Sequence, residues 1–345
     1  MKLSSHWLVQ TSAFLFPICG LAFAGCGGSS DGPGASGASG ASGASGASGA
    51  SAGSPASAGA GSGDPSKLVG AFLLKLNPAS DLGEATTSIL GRVNDGVNPQ
   101  TTIWEKPELD GDCTLTTPRV PYCTTPCGGN AACIEDDICL AYATGHSVGV
   151  VTVSGVKAAD SSTKVVLEPL NNNYQASVPL AYPPFAEGDV VTFAAAGDEY
   201  PAFNLSSKGI APLTLTATDL AVRSGQGLPV TWTKGGEGSA RIRVKLDISH
   251  HGGSKGQILC DTADSGALTI SAKLISKLLS LGVAGFPTVI VTRYAIGSTV
   301  IAPGRVELEI SSTVEQSVTI DGLRSCKDEL DCPDGQECQS DRTCK

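Results

Sequence analysis

The sequence predicts a mainly β protein. One or two antiparallel β-sandwich domains, with one short helix, carry small disulfide-rich knobs. Three observations point there. Several segments alternate polar and apolar residues, and Arg241-Ile242-Arg243-Val244-Lys245-Leu246-Asp247-Ile248 does so without a slip. That period of two gives a strand one wet and one buried face. A single segment has helical periodicity. Of the ten cysteines beyond residue 100, nine fall into two tight groups and Cys260 stands apart, as in chains stapled by disulfides.

Strands are expected over 69–76, 147–153, 165–167, 190–194, 213–217, 230–233, 241–248, 289–293 and 305–310. Asn94-Asp95-Gly96, Glu187-Gly188-Asp189, Lys234-Gly235-Gly236 and Pro303-Gly304 punctuate them as turns. The helix starts at Ser271, whose hydroxyl can cap it, and ends at Gly282. Its stripe of Leu274, Ile275, Leu278 and Leu279 reads as core packing. The expected organisation is a signal segment at 1–25, a tether at 26–66, a β-rich domain at 67–210, a β-sandwich at 211–322 and a small Cys-rich module at 323–345. The first domain carries a Cys-rich insertion at 113–139. Within 211–322, Val230-Thr231-Trp232, the alternating strand and Cys260 loosely resemble an immunoglobulin or fibronectin-type sandwich.

The N-terminus bears on location. Met1-Lys2 precedes an apolar stretch and then Leu21-Ala22-Phe23-Ala24-Gly25-Cys26. This arrangement resembles the lipobox of bacterial lipoproteins. The resemblance implies cleavage before Cys26 and acylation of its thiol. Gly27, in place of Asp, then implies sorting to the outer membrane of the cell envelope. Ala22-Phe23-Ala24 also reads as an A-x-A site, which would release a soluble secreted protein. The apolar run 13–24 is shorter than the about 20 residues a membrane-spanning helix needs. The triplet Gly-Ala-Ser then occupies 34–51 without interruption. It lacks the prolines of collagen and any apolar face to bury. As a random coil, 27–66 would hold the body about 35 Å from the membrane on average.

Cysteine arithmetic supports acylation. Cys19 leaves with the signal segment. With Cys26 acylated, Cys113, Cys123, Cys127, Cys133, Cys139, Cys260, Cys326, Cys332, Cys338 and Cys344 remain, an even set. Bridges are expected within 123–139 and within 326–344, which leaves Cys113 for Cys260. The pairing inside each group stays open. The spacing Cys127-x5-Cys133-x5-Cys139 recurs in the tail, which points to one small knob used twice. The tail, Cys326-Lys327-Asp328-Glu329-Leu330-Asp331-Cys332 onward, resembles small Cys-rich modules of secreted proteins. Zinc is disfavoured, because only Cys123-x3-Cys127 has ligand-pair spacing. No metal and no cofactor are expected.

Gly145-His146-Ser147-Val148-Gly149 matches the G-x-S-x-G pattern of serine hydrolases, with Asp189, Asp198, Asp219 or Asp247 and then His250 or His251 downstream. A nucleophile elbow needs a strand before the serine and a helix after it. Here a Cys-rich loop precedes and β-branched Val150-Val151-Thr152-Val153 follows. Ser147 is therefore read as a strand-entry residue, its N–H neighbours in a ladder, distant from His250 and His251, with His146 free of any carboxylate. His250-His251-Gly252-Gly253 reads as a solvated hairpin tip. Asp110-Gly111-Asp112, Glu135-Asp136-Asp137 and the acidic run 328–334 read as solvated loops that match no calcium-loop pattern.

The formal net charge of −10 argues against nucleic acid and anionic lipid surfaces. Three tryptophans, Trp7, Trp104 and Trp232, offer little for an aromatic sugar platform. The expected protein is a non-catalytic lipoprotein, a binding or adhesion module on a tether, with the membrane and a protein or glycan as partners. The alternatives are a purely structural envelope lipoprotein and a serine hydrolase using Ser147.

Overall fold

The structure is a computed structural model that describes residues 63–80, 83–217 and 219–345. The signal segment, Cys19, Cys26 and the tether up to residue 62 lie outside the described residues.

The chain enters with β1 (Leu68–Asn77) and β2 (Thr86–Asn94). The hairpin of β3 (Ile103–Asp110) and β4 (Cys113–Arg119) follows, then β5 (Ala131–Glu135) and β6 (Ile138–Ala141) of the first cystine module. Short strands β7 (Gly145–His146), β8 (Val151–Ser154), β9 (Val165–Leu167) and β10 (Asn173–Gln175) lead to β11 (Val190–Ala195) and β12 (Phe203–Lys208). Next come β13 (Leu220–Val222), β14 (Leu228–Thr231), β15 (Arg241–Asp247), β16 (Gln257–Ala263) and β17 (Ala267–Ile270). The helix α1 (Ala272–Ser280) precedes two long strands, β18 (Thr288–Ile301) and β19 (Gly304–Ile320). Ser271 caps α1, accepting from Leu274 N–H, and Leu274, Ile275 and Leu278 are buried. Two expected strands differ. Residues 147–150 lie between β7 and β8, and 213–217 makes a single bridge, Leu215 to Trp232.

The protein is mainly β. Eleven strands form one sheet in the order β10, β2, β1, β19, β18, β15, β16, β4, β3, with β7 beside β2 and β13 beside β19. β1 and β13 run parallel to β19, and the other neighbours are antiparallel. One face of this sheet is covered along its length. Over β1, β2 and β10 lies a second sheet, β12-β11-β8-β9. Val151, Val153, Leu167, Val191, Phe193 and Leu205 from it meet Phe72, Leu74, Ile89 and Leu308. Over β15, β16 and β4 lie the β14–β17 ribbon and α1. Trp232, Val230, Ile270 and Leu274 there meet Ile242, Val244, Ile258 and Val291.

The two cores share β18 and β19. Opposed pairs of an antiparallel ladder point to one face. Ala295 and Ile310 face the first core, and Val291 and Val314 face the second. Between them Arg293 stands opposite Ser312, both buried. All five guanidinium N–H groups are used. Nε donates to Asp264 Oδ2 (2.7 Å) and Nη1 to the carbonyls of Ala211 and Pro212. Nη2 donates to Thr233 O and Asp264 Oδ1. Asp264 also accepts from Trp232 Nε1 and Gly235 N–H, while Ser312 Oγ accepts from Leu213 N–H. The segment joining the halves is thus tied to one buried ion pair whose remaining donors and acceptors are satisfied, as a charge out of water requires.

Two glycines fit close approaches. Gly91 sits opposite both Phe72 and Tyr174, and a Cβ there would lie 2.3 Å from the Phe72 ring. At Gly297 a Cβ would lie 1.7 Å from Ser206 O, where β12 crosses β18.

Candidate functional site

All ten cysteines in the described residues are paired. Cys113 and Cys260, both buried, are opposed across β4 and β16 and bridge 147 positions of sequence. The first module pairs Cys123–Cys133 and Cys127–Cys139; the tail pairs Cys326–Cys338 and Cys332–Cys344. In order within each group, first joins third and second joins fourth. The third and fourth cysteines are cross-strand partners in both. Asp137 and Arg342, each four residues after the third cysteine, have φ of 60° and 61°. The same small unit therefore occurs twice. The sulfurs that cluster within 4.8 Å in each unit are bridged and offer no thiolate to a metal.

Several of the acidic side chains have hydrogen-bond partners within the protein. Asp112 accepts from Thr262 Oγ1, and Asp136 from Arg119 and Tyr122 N–H. Asp137 accepts from Thr124 N–H, Asp328 from Leu330 N–H and Asp331 from Lys327 N–H.

Ser147 is buried, and its backbone N–H donates to Glu199 Oε1 rather than to a ladder. Its Oγ accepts from Gly149 N–H, and Val148 N–H donates to Tyr174 Oη. His146 corrects the expectation made for it. Its Nδ1 meets Glu199 Oε2 at 2.5 Å, and its Nε2 lies 3.7 Å from Asp95 Oδ2. The reason is long-range. The turn between β11 and β12 folds back, Glu199 N–H donating to Ser147 O, and delivers its carboxylate from 53 residues away. The hydrogen bond to Glu199, with the charges of Glu199 and Asp95, raises the His146 pKa above its ordinary value. Glu199 is held below the usual carboxylate range, chiefly by the Ser147 N–H and then by His146. Of the candidate acids, Asp189 and Asp247 accept from nearby backbone N–H groups, of Ala186 and Ser249.

His250 and His251 stand by the other core, after β15. Their rings are 3.9 Å apart, and His250 Nε2 is 3.8 Å from Glu315. Their loop receives the tail module. His250 O accepts from Phe286 N–H, Gly285 N–H donates to Asp341 O, and Ser325 Oγ donates to Gly285 O. A Cβ on Gly252 would lie 2.3 Å from Gly285 N and 2.6 Å from Asp341 O. The paired glycines therefore admit a close contact between the loop and the tail, which local sequence could not reveal.

The uncovered face of the large sheet carries two adjoining grooves over β1 and β2, about 460 and 390 Å³ in volume. Both are lined by Ala71 and Arg92. The first also has Leu73, Leu90, Leu170, Asn171 and Gln175, and the second Val97, Asn98 and Gln100. Sequence reading missed them, because their walls come from β1, β2, β10 and two loops.

No protein-family model matches this chain, and a search of curated proteins returned no match. No helix among the described residues is long and apolar enough to cross a membrane.

Proposed function

We propose that this protein is an exported, lipid-anchored binding module of the bacterial cell envelope, held at the outer membrane through acylated Cys26 and displayed on the 27–66 tether. One observation carries the reading. The ten cysteines of the body pair completely, so once the signal segment is removed Cys26 has no disulfide partner. A lone cysteine after an apolar leader, in a disulfide-rich exported chain, is well used as an acylation site. Non-catalytic action is supported by the setting of Ser147, whose Oγ accepts from the backbone N–H of Gly149 and has no histidine partner among the described residues. An open groove on an otherwise uncovered sheet face supports binding. The partner class is a protein or glycan.

The test is metabolic labelling with palmitate and phase partition in detergent. Intact protein should carry label and enter the detergent phase, since stable anchoring takes two or more acyl chains. Cys26→Ala should lose the label and remain aqueous or unprocessed. Unchanged partition of that variant would refute anchoring, and an intact-mass N-terminus at Gly25 would assign cleavage after Ala24 and a soluble secreted product.

A further inference from the structure

We propose that the paired grooves over β1 and β2 bind a carboxylate-bearing saccharide, with Arg92 taking the carboxylate. This rests on the reading of the body as a binding module and names its ligand class.

The argument starts from strand alternation. Phe72 and Leu74 point into the core, so Ala71, Leu73 and Lys75 stand on the outer face. Gln175, Leu90 and Leu73 form one cross-strand row, and Asn173, Arg92 and Ala71 the next. Leu73, Leu90 and Leu170 make an aliphatic floor beside the side-chain amides of Asn171 and Gln175. Those two amides have no hydrogen-bond partner among the described residues. An amide offers both a donor and an acceptor, the pairing that sugar hydroxyls require.

Arg92 is pre-set. Its Nε donates to Asn94 Oδ1 at 2.9 Å, while Asn94 Nδ2 is tied to Val69 O. Its side chain crosses Gly145, where a Cβ would lie 2.7 Å from Nε. The facing wall is also fixed. Leu170 and Asn173 close a two-residue turn with Asn171 and Asn172 at positive φ, and Asn172 Nδ2 donates to Gly145 O. The terminal nitrogens of Arg92 have no partner among the described residues. A fixed guanidinium with a free edge suits bidentate capture of a carboxylate.

Charge agrees locally although the chain is acidic. The nearest carboxylates in the next strand are Glu307 and Glu309, opposite Ala71 and Leu73. Glu307 pairs with Arg305, and Glu309 lies 4.0 Å from Arg243. Arg92 has no carboxylate partner among the described residues, so its charge stands uncompensated in the groove it lines. A saccharide is favoured over a peptide by where the groove lies. Extended peptides bind by adding to a sheet edge. Here β1 and β2 are flanked by strands on both sides, so their backbone is committed to the ladder and only side chains face a ligand lying over them, whereas β10 is the edge strand of the sheet. From Leu90 to Asn94 the groove runs roughly 13 Å, enough for a short oligosaccharide.

The test is calorimetric titration of the full chain in non-ionic detergent, which makes the assay indifferent to anchoring. The probes are tetramers of galacturonate, mannuronate and hyaluronan, their carboxyl-reduced counterparts, and tetraglutamate. At least one uronate tetramer should bind, and carboxyl reduction or Arg92→Gln should each weaken it about tenfold or more. Gln175→Ala should weaken it less. Both sites are exposed, so unchanged thermal unfolding checks that each variant folds. No binding by any uronate at millimolar concentration overturns the proposal, as does binding indifferent to Arg92→Gln. Tetraglutamate binding as tightly overturns the saccharide assignment while leaving the binding-module reading intact.

Discussion

Replacing Arg293 with methionine removes the charged half of the junction between the two cores while keeping most of its volume. Asp264 would be left as a buried carboxylate with two donors, Trp232 Nε1 and Gly235 N–H. The carbonyls of Ala211, Pro212 and Thr233 would each lose the donor that Arg293 supplies. Breaking a buried pair from one side costs about 3–5 kcal/mol, more than its net worth, because the remaining charge stays desolvated. Asp264→Asn keeps an acceptor for Trp232 and removes that charge. Added to Arg293→Met it should therefore restore stability, with a coupling energy of about 0.5–3 kcal/mol. Urea unfolding with disulfides intact measures all three variants. A cost below about 1 kcal/mol for Arg293→Met, or a double variant less stable than Arg293→Met alone, would refute the reasoning.

Gly297→Ala places a methyl against the Ser206 backbone and should cost about 3 kcal/mol in the same assay, whereas Gly238→Ala, with no atom within 4 Å, should stay within about 0.5 kcal/mol. The His146 pKa is raised in the fold, so its contribution is complete below the unfolded value near 6.5 and is lost as pH rises through the folded value. The melting-temperature advantage of the native chain over His146→Gln should accordingly shrink as pH rises above about 6.5, and a constant gap would contradict the pairing with Glu199 and Asp95. Replacing Cys113 and Cys260 together by serine opens a link across 147 positions and should cost about 2–5 kcal/mol, read by denaturant unfolding.

What the sequence disclosed follows the range of the forces involved. Alternation at Arg241–Asp247 is a local signal, and that strand forms where alternation places it. The strand begun at Arg305 continues to Ile320 through Ser311, Ser312, Thr313 and Ser317, which carry no apolar signal and are held by pairing with β18. Ser271 and Gly282 bracket α1 because caps are local chemistry. Cysteine grouping was legible because short loops favour close partners. The order within each group depends on the turn at Asp137 or Arg342, which spacing alone does not specify. Nothing near Arg293 in sequence announces Asp264 or the carbonyls of Ala211, Pro212 and Thr233. His146 and Glu199 are invisible as a pair for the same reason, and the groove around Arg92 draws on residues from 68 to 175.

The shared strands also bear on how the body holds together. A protein with two cores can open them separately if each has its own strands. Here Val306, Leu308 and Ile310 of β19 belong to one core and Val318 to the other, while β18 supplies Ala295 and Ile301 to the first and Val289 and Val291 to the second. Releasing either core means stripping part of a ladder on which the other depends. Arg293 sits where that ladder passes between them and ties in the connecting segment at Ala211 and Pro212. Cys113–Cys260 adds a covalent tie within the second core, between β4 and β16. The outer face of β1 and β2, with Arg92 and the groove, is therefore backed by a framework that opens as a unit. Such backing suits a recognition surface whose side chains must hold their geometry before the ligand arrives.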